Sequence, residues 1–164
     1  MSAERVRGPE ESEATMLEYV LPTHANAMGN VFGGQILAWV DLCAAICAQR
    51  HTGRICITAA IDELSFAEPI RVGQVVRLQA RVTATFRTSL EILVAVEGEN
   101  SMTGARWPCV TAFVTFVAVD DALRPTPIPA LALRTDADRA LAASAAARRE
   151  ARLVRRTVAD AAGR

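Results

Sequence analysis

Residues 24 to 41, HANAMGNVFGGQILAWVD, bring together an Asn (Asn26), a glycine pair opening an apolar helix (Gly33, Gly34) and one carboxylate midway along that helix (Asp41). Glycines at a helix start leave backbone N–H groups open to a developing negative charge. An acid inside an apolar helix is costly unless it is paired or put to use. These groups suit the polarisation of a carbonyl and its attack by water. With the helix starting near Gly33, Asp41 lies about 12 Å further along the axis at about 1.5 Å per residue. A carbonyl and its attacking water are only about 3 Å apart, so the N–H donors and the carboxylate of one helix do not meet at one centre. Two such helices packed antiparallel about a two-fold axis bring Gly33 of one beside Asp41 of the other. The spacing therefore predicts a site shared within a homodimer. The structural alternative pairs Asp41 with Arg50 or Arg54 and makes Asn26 a loop-capping residue.

Composition narrows the partners. The chain has 164 residues, 51% of them hydrophobic, with 18 basic and 18 acidic side chains. A balanced charge gives no broad field for nucleic acid or an anionic membrane. Lysine is absent, which excludes Schiff-base chemistry and leaves phosphate recognition to arginine and backbone amides. The opening MSAERVRGPEESEAT is charged where a signal peptide needs an apolar run, so the expected location is cytoplasmic. Residues 31 to 48 approach the apolarity of a membrane span, but Gly33, Gly34, Gln35 and Asp41 interrupt them, and no membrane insertion is expected. Cys43, Cys47, Cys56 and Cys109 lack zinc-ribbon spacing and read as reduced core thiols. Cys43, Cys47 and His51 do fall at i, i+4 and i+8 of one helix, the geometry of a metal stripe, although buried thiols and a helix-terminal His are the commoner origin.

The elements that must position these groups follow from pattern. Residues 1 to 14 read as a mobile arm, and a first strand spans 15 to 21. A helix covers 33 to 51 and stops at Gly53; its apolar positions exceed one face, so other elements should wrap it. Four extended segments follow at 54 to 62, 74 to 86, 88 to 99 and 105 to 120, with period-two alternation clearest in VVRLQARVTA. One strand, a long helix and four more strands, without βαβ alternation, make an antiparallel five-stranded sheet curled around a central helix, an α+β fold. Pro125, Pro127 and Pro129 mark a linker, after which Thr135 and Asp138 form a capping pair for an Arg-rich helix over 136 to 158.

With that frame in place, HANAMGNVFGGQILAWVDLCAAICAQRH, TAAIDELSFAEPIRVGQVV, RTSLEILVAVEGE and TAFVTFVAVD together resemble the hotdog-fold acyl-CoA thioesterases of the single-domain cytosolic acyl-CoA hydrolase type. The resemblance covers residues 15 to 121, the expected thioesterase domain, leaving 122 to 164 as linker and C-terminal helix. It implies hydrolysis of acyl-CoA to free acid and CoA, with no metal or redox cofactor. It also implies a dimer with shared sites, and in many relatives a trimer of dimers. Asn26 and the amides near Gly33 and Gly34 would polarise the thioester carbonyl, while Asp41 would act as general base or as nucleophile. Thr58 would orient the water. Arg87, Thr88 and Ser89 match the family's turn near the CoA nucleotide, although Phe86 stands where a Gly often precedes that Arg. Arg148 and Arg149 echo an Arg pair of the family's C-terminal helix and would contact the 3′-phosphate.

Two other classes stay open on the sequence. An enoyl-thioester hydratase of the same fold needs a catalytic His, and neither His24 nor His51 sits where the central helix would present one. A non-enzymatic acyl-CoA-binding module would keep the pocket without turnover, but the fourteen residues before the first strand are too short and acidic for a DNA-binding segment.

Overall fold

The computed structural model describes residues 6 to 162, and side chains to residue 158. Five strands form one antiparallel sheet: β1 (Ala14–Tyr19), β2 (Ile55–Phe66), β3 (Val75–Thr85), β4 (Ser89–Glu99) and β5 (Arg106–Val119). Their spatial order is β1-β3-β4-β5-β2, so β1 and β2 are the free edges. The long helix α1 (Gly33–Thr52) lies in the concave face, and α2 (Asp136–Ala162) follows the proline linker.

Apolar alternation builds this arrangement. Val76, Leu78, Ala80 and Val82 of β3 and Leu90, Ile92, Val94 and Val96 of β4 turn inward and are almost fully buried. They meet Val40, Cys43, Ala44 and Cys47 of α1, each without exposed surface. Burying each such aliphatic side chain contributes about 1.5–3 kcal/mol, which offsets chain ordering and fixes the register of the sheet. α1 ends because Gly53 adopts the left-handed conformation, φ 66°, and returns its N–H to the Gln49 carbonyl. The expected capping pair of α2 forms reciprocally: Asp138 N–H donates to Thr135 Oγ1 at 3.0 Å and Thr135 N–H to Asp138 Oδ2 at 3.0 Å.

Several boundaries differ from expectation. β2 runs four residues past 62 because its ladder with β5 resumes after an irregularity between Asp62 and Ser65. α2 continues to Ala162, as its alanine-rich sequence favours. The mobile arm is corrected over its described part. Arg7 forms a bridge with Leu131, its N–H donating to Ala130 O at 2.9 Å and its carbonyl accepting from Ala132 N–H at 2.8 Å, and Ser12 is fully buried. Residues 1 to 5 lie outside the described part. His51, expected as a helix-terminal side chain, is also fully buried, with Nε2 3.2 Å from the Pro129 carbonyl and Nδ1 3.4 Å from Ser12 Oγ. Its ring joins the arm, the end of α1 and the linker, so the ring is not available to a metal stripe. No helix among the described residues is long and apolar enough to cross a membrane.

Candidate active site

The Asn26 half of the site is a loop whose shape is set by its own side chain. Asn26 Oδ1 accepts the N–H groups of Met28 at 3.0 Å and Asn30 at 3.2 Å. Asn26 N–H donates to the Asn30 carbonyl at 2.8 Å. With both acceptor directions of Oδ1 in use, the amide NH2 of this exposed residue has no acceptor among the described residues and remains available as a donor. The loop is tied down where Val31 N–H donates to the Ile70 carbonyl at 2.8 Å and Phe32 N–H to the His24 carbonyl at 2.9 Å. His24 stands edge-on to Trp39 with ring centres 5.0 Å apart, and thus buttresses the loop.

Gly33 and Gly34 open α1 without a side-chain cap, and their N–H groups have no acceptor among the described residues. Such amides carry the positive end of the helix dipole. A Cβ on Gly34 would lie 2.5 Å from Phe32 Cε1, whereas one on Gly33 would meet only Phe66, at 3.5 Å. Asn26 and Gly33 line one cavity of about 290 Å³, with Ile36, Phe66, Ile70 and Cys109 among its walls. Burial raises the Cys109 thiol to about 11, so it contributes an apolar wall and no thiolate.

Asp41 and Thr58 form the other half. Thr58 on β2 donates its hydroxyl to Asp41 Oδ1 at 2.6 Å, a short charge-assisted bond. The ladder shifts between Thr58 and Ala60, and an extra residue there aims the Thr58 hydroxyl at the helix. Asp41 makes no ion pair with Arg50 or Arg54: Arg50 donates instead to the Glu13 carbonyl. The structural alternative for Asp41 is therefore not realised. Asp41 does not line the Asn26 and Gly33 cavity, so one chain holds two separated half-sites.

The residues expected at the nucleotide end divide. Phe86 N–H donates to the Ser89 carbonyl at 2.7 Å, making Arg87 and Thr88 the tip of the β3–β4 turn, and Thr88 O accepts from Ala118 N–H at 3.0 Å. Arg149 lies exposed with its guanidinium carbon 4.8 Å from the centre of the Phe86 ring. Arg148 is a correction. Its Nε and Nη2 bind Glu91 Oε2 and Oε1 at 3.0 and 2.8 Å, and its guanidinium covers Phe113 at 3.6 Å. The Glu91 hydrogen bonds hold its proton more firmly than usual, and no free edge faces a phosphate.

The two thiols of α1 are buried and held protonated. Burial lifts Cys43 to about 11 and Cys47 to about 12. Cys43 Sγ donates to the Ala14 carbonyl at 3.7 Å, so the two cysteines of the expected metal stripe are packed, protonated thiols. Sequence reasoning missed Phe66 and Cys109, which reach the cavity through the pairing of β2 with β5, and Ile70, which reaches it from the loop after β2 that accepts from Val31 N–H. It also missed Glu91, whose acid at an outward strand position reads as solvated until α2 covers it.

Residues 28–105 match the model of the thioesterase superfamily. An acyl-CoA thioester hydrolase of Bacillus subtilis (strain 168), itself described as uncharacterized, is 35% identical over 83% of this chain and 79% of its own length. The acetyl-coenzyme A thioesterase of Rattus norvegicus is 33% identical over 86% of this chain. This chain spans only 25% of that longer protein. Among solved structures, an apo-hexameric acyl-CoA thioesterase superposes with TM-score 0.87 at 36% identity, covering 92% of this chain and 97% of that one. An acyl-CoA hydrolase from Staphylococcus aureus, solved with butyryl coenzyme A and coenzyme A, gives TM-score 0.87 at 28% identity over 94% of each chain. The chain belongs to the thioesterase superfamily, with the hotdog fold.

Proposed function

We propose that this protein hydrolyses acyl-CoA to free acid and CoA in a homodimer whose two sites are shared. Each site takes Asn26 and the Gly33 and Gly34 amides from one protomer, and Asp41 with Thr58 from the other. The observation that carries this reading is the separation of the two halves within one chain, each complete as a donor or acceptor set. The second support is what the chain leaves bare. β2 is an unpaired edge with Ile55 65% and Ile57 48% exposed, and α1 beside it shows Leu42 55% and Ile46 41% exposed. Gly34, Ala38, Leu42 and Ile46 recur every four residues on α1, an uncovered apolar stripe on the same face as that edge. Such a surface is costly in water and suits a second copy related by a two-fold axis. The solved relative described as hexameric supports three such dimers in one assembly.

In the proposed reaction the Asn26 amide and the glycine N–H groups hold the thioester oxygen as it gains charge. Asp41, fixed through Oδ1 by Thr58, accepts a proton from water on its other oxygen. The water oxygen forms a bond to the acyl carbon, the tetrahedral oxyanion collapses, and the carbon–sulfur bond breaks. The CoA thiolate leaves and takes up the proton, giving carboxylic acid and thiol. The Staphylococcus aureus hydrolase has been solved as Asn-to-Ala, Asp-to-Ala and Thr-to-Ala variants, the substituted positions lying fifteen and then seventeen residues apart. Asn26, Asp41 and Thr58 have the same spacing. The test is thiol release from acyl-CoAs of several chain lengths. Asn26→Ala should lower kcat by about 10²–10³ and Asp41→Asn by about 10²–10⁴ with oligomers intact. Tight binding without wild-type turnover would replace this reading with the binding-module alternative.

A further inference from the structure

The helix α2 has little apolar grip on the sheet: of its described side chains only Asp138 and Ala145 are buried. Its register is set instead by polar pins. Asp138 pairs with Arg81 at 2.6 Å near one end, and Arg152 and Arg155 both meet Asp62 near the other. Between them lies the most enclosed pair, Arg148 with Glu91. The Glu91 side chain is 1% exposed and that of Arg148 11%. Thr83 adds a third donor to Glu91 Oε1 at 2.8 Å. Cross-strand from Glu91, Thr115 Oγ1 is buried with no hydrogen-bond partner among the described residues. A carboxylate taken out of water in a strand is costly, and here it is held by one arginine of α2.

Consecutive helix residues project about 100° apart. While Arg148 points into the sheet, Arg149 is carried to Phe86 at the β3–β4 turn. Arg87 follows Phe86 directly. Arg87 and Arg149 are exposed, and neither forms a salt bridge among the described residues. Arg81, Arg148, Arg152 and Arg155 of the same face are all paired with acids. One guanidinium over an aromatic ring and a second on the residue that follows it, neither paired with an acid among the described residues, suit a phosphate-bearing nucleotide.

We propose that Glu91 is a positioning residue for the nucleotide end of the substrate: by clamping Arg148 it fixes the rotation of α2 that keeps Arg149 on Phe86 beside Arg87, where the phosphates of CoA bind. This inference rests on the acyl-CoA reading above. It predicts that Glu91 governs the preference for acyl-CoA over the same acyl group on pantetheine, which lacks the nucleotide.

The experiment compares kcat/KM for acyl-CoA and S-acyl-pantetheine in the wild type, Glu91→Gln, Arg149→Ala and their double variant. Glutamine keeps nearly the same volume and an acceptor for Thr83 while removing the charge that Arg148 pairs with. Glu91→Gln should lower the ratio of the two kcat/KM values about tenfold, the scale of one phosphate contact, through the KM of acyl-CoA with kcat little changed. The double variant should lie no lower than Arg149→Ala alone. If Glu91→Gln does not fold, Glu91→Gln with Arg148→Met removes both charges and should give the same reduced ratio. An unchanged ratio, additive losses in the double variant, or equal losses on both substrates would overturn the inference. Calorimetric binding of free CoA against pantetheine gives the same comparison without turnover. A wild type that binds CoA with the predicted Glu91 dependence but releases no thiol would reject the hydrolase reading alone.

Discussion

Replacing Thr58 by Val removes one hydroxyl and leaves the volume and β-branching of the strand residue in place. The lost contact is the 2.6 Å hydrogen bond to Asp41 Oδ1. A hydrogen bond to a charged group is worth about 1.5–3 kcal/mol. It takes the upper part of that range where a second protomer covers β2 and shuts out water. If the bond holds Asp41 in its productive orientation only as the proton moves, its loss raises the barrier by that amount. At about 1.36 kcal/mol per decade, kcat falls about 10- to 150-fold. KM should change little, because Thr58 contacts the base and not the bound ester. The assay is steady-state thiol release over a range of acyl-CoA concentrations. Thr58→Ser restores the hydroxyl and should recover kcat to within about threefold. A Val variant with wild-type kcat, or a Ser variant as poor as Val, would refute the reasoning, because the hydroxyl would then not be what matters.

Other outcomes follow from the same geometry. Gly33→Ala should fold with equal or slightly higher melting temperature, since its Cβ would meet Phe66 at an ordinary 3.5 Å and alanine favours the helix. It should still lose kcat/KM, because the methyl group narrows the cavity at the N–H donors; an Ala variant with full activity would remove Gly33 from the site. Burial holds the His51 pKa below its ordinary 6.5. The folded ring is therefore neutral, and its contribution is fully present above pH 6.5. As pH falls below that value the unfolded chain takes up the proton first, and stability drops at about 1.4 kcal/mol per pH unit until the lowered folded pKa is reached. Thermal melts between pH 5 and 8 should show this slope in the wild type and lose most of it in His51→Gln; an equal slope in both would contradict the burial argument.

Local signals made much of the fold legible. Gly33 and Gly53 bracket α1 in sequence as they do in space, and the Thr135 and Asp138 pair announces α2 because a cap is a three-residue event. The alternation over 75 to 85 gave β3 its register face for the same reason. What stayed hidden is long-range. The polar arm around Arg7 looks solvated until its backbone finds residues 130 to 132. His51 is satisfied by Ser12 and by the Pro129 carbonyl, 39 and 78 residues away, partners that periodicity does not specify. Arg148 and Arg149 are chemically identical, and only the buried acid on β4 decides which of them faces the sheet. The two half-sites and their separation along α1 were legible from helix spacing, but the walls of the Asn26 and Gly33 cavity, Phe66, Ile70 and Cys109, are brought together only by the assembled fold.

The shared site is tested most directly by subunit complementation. Asn26→Ala and Asp41→Asn, each nearly inactive alone, are unfolded together and refolded as a mixture. Half of the randomly assorted dimers are then mixed, and each mixed dimer holds one site with both residues intact. Thiol release should recover to about a quarter of the wild-type rate per subunit. No recovery above the separate variants, with mixed dimers verified by mass, would show that Asn26 and Asp41 do not meet across an interface.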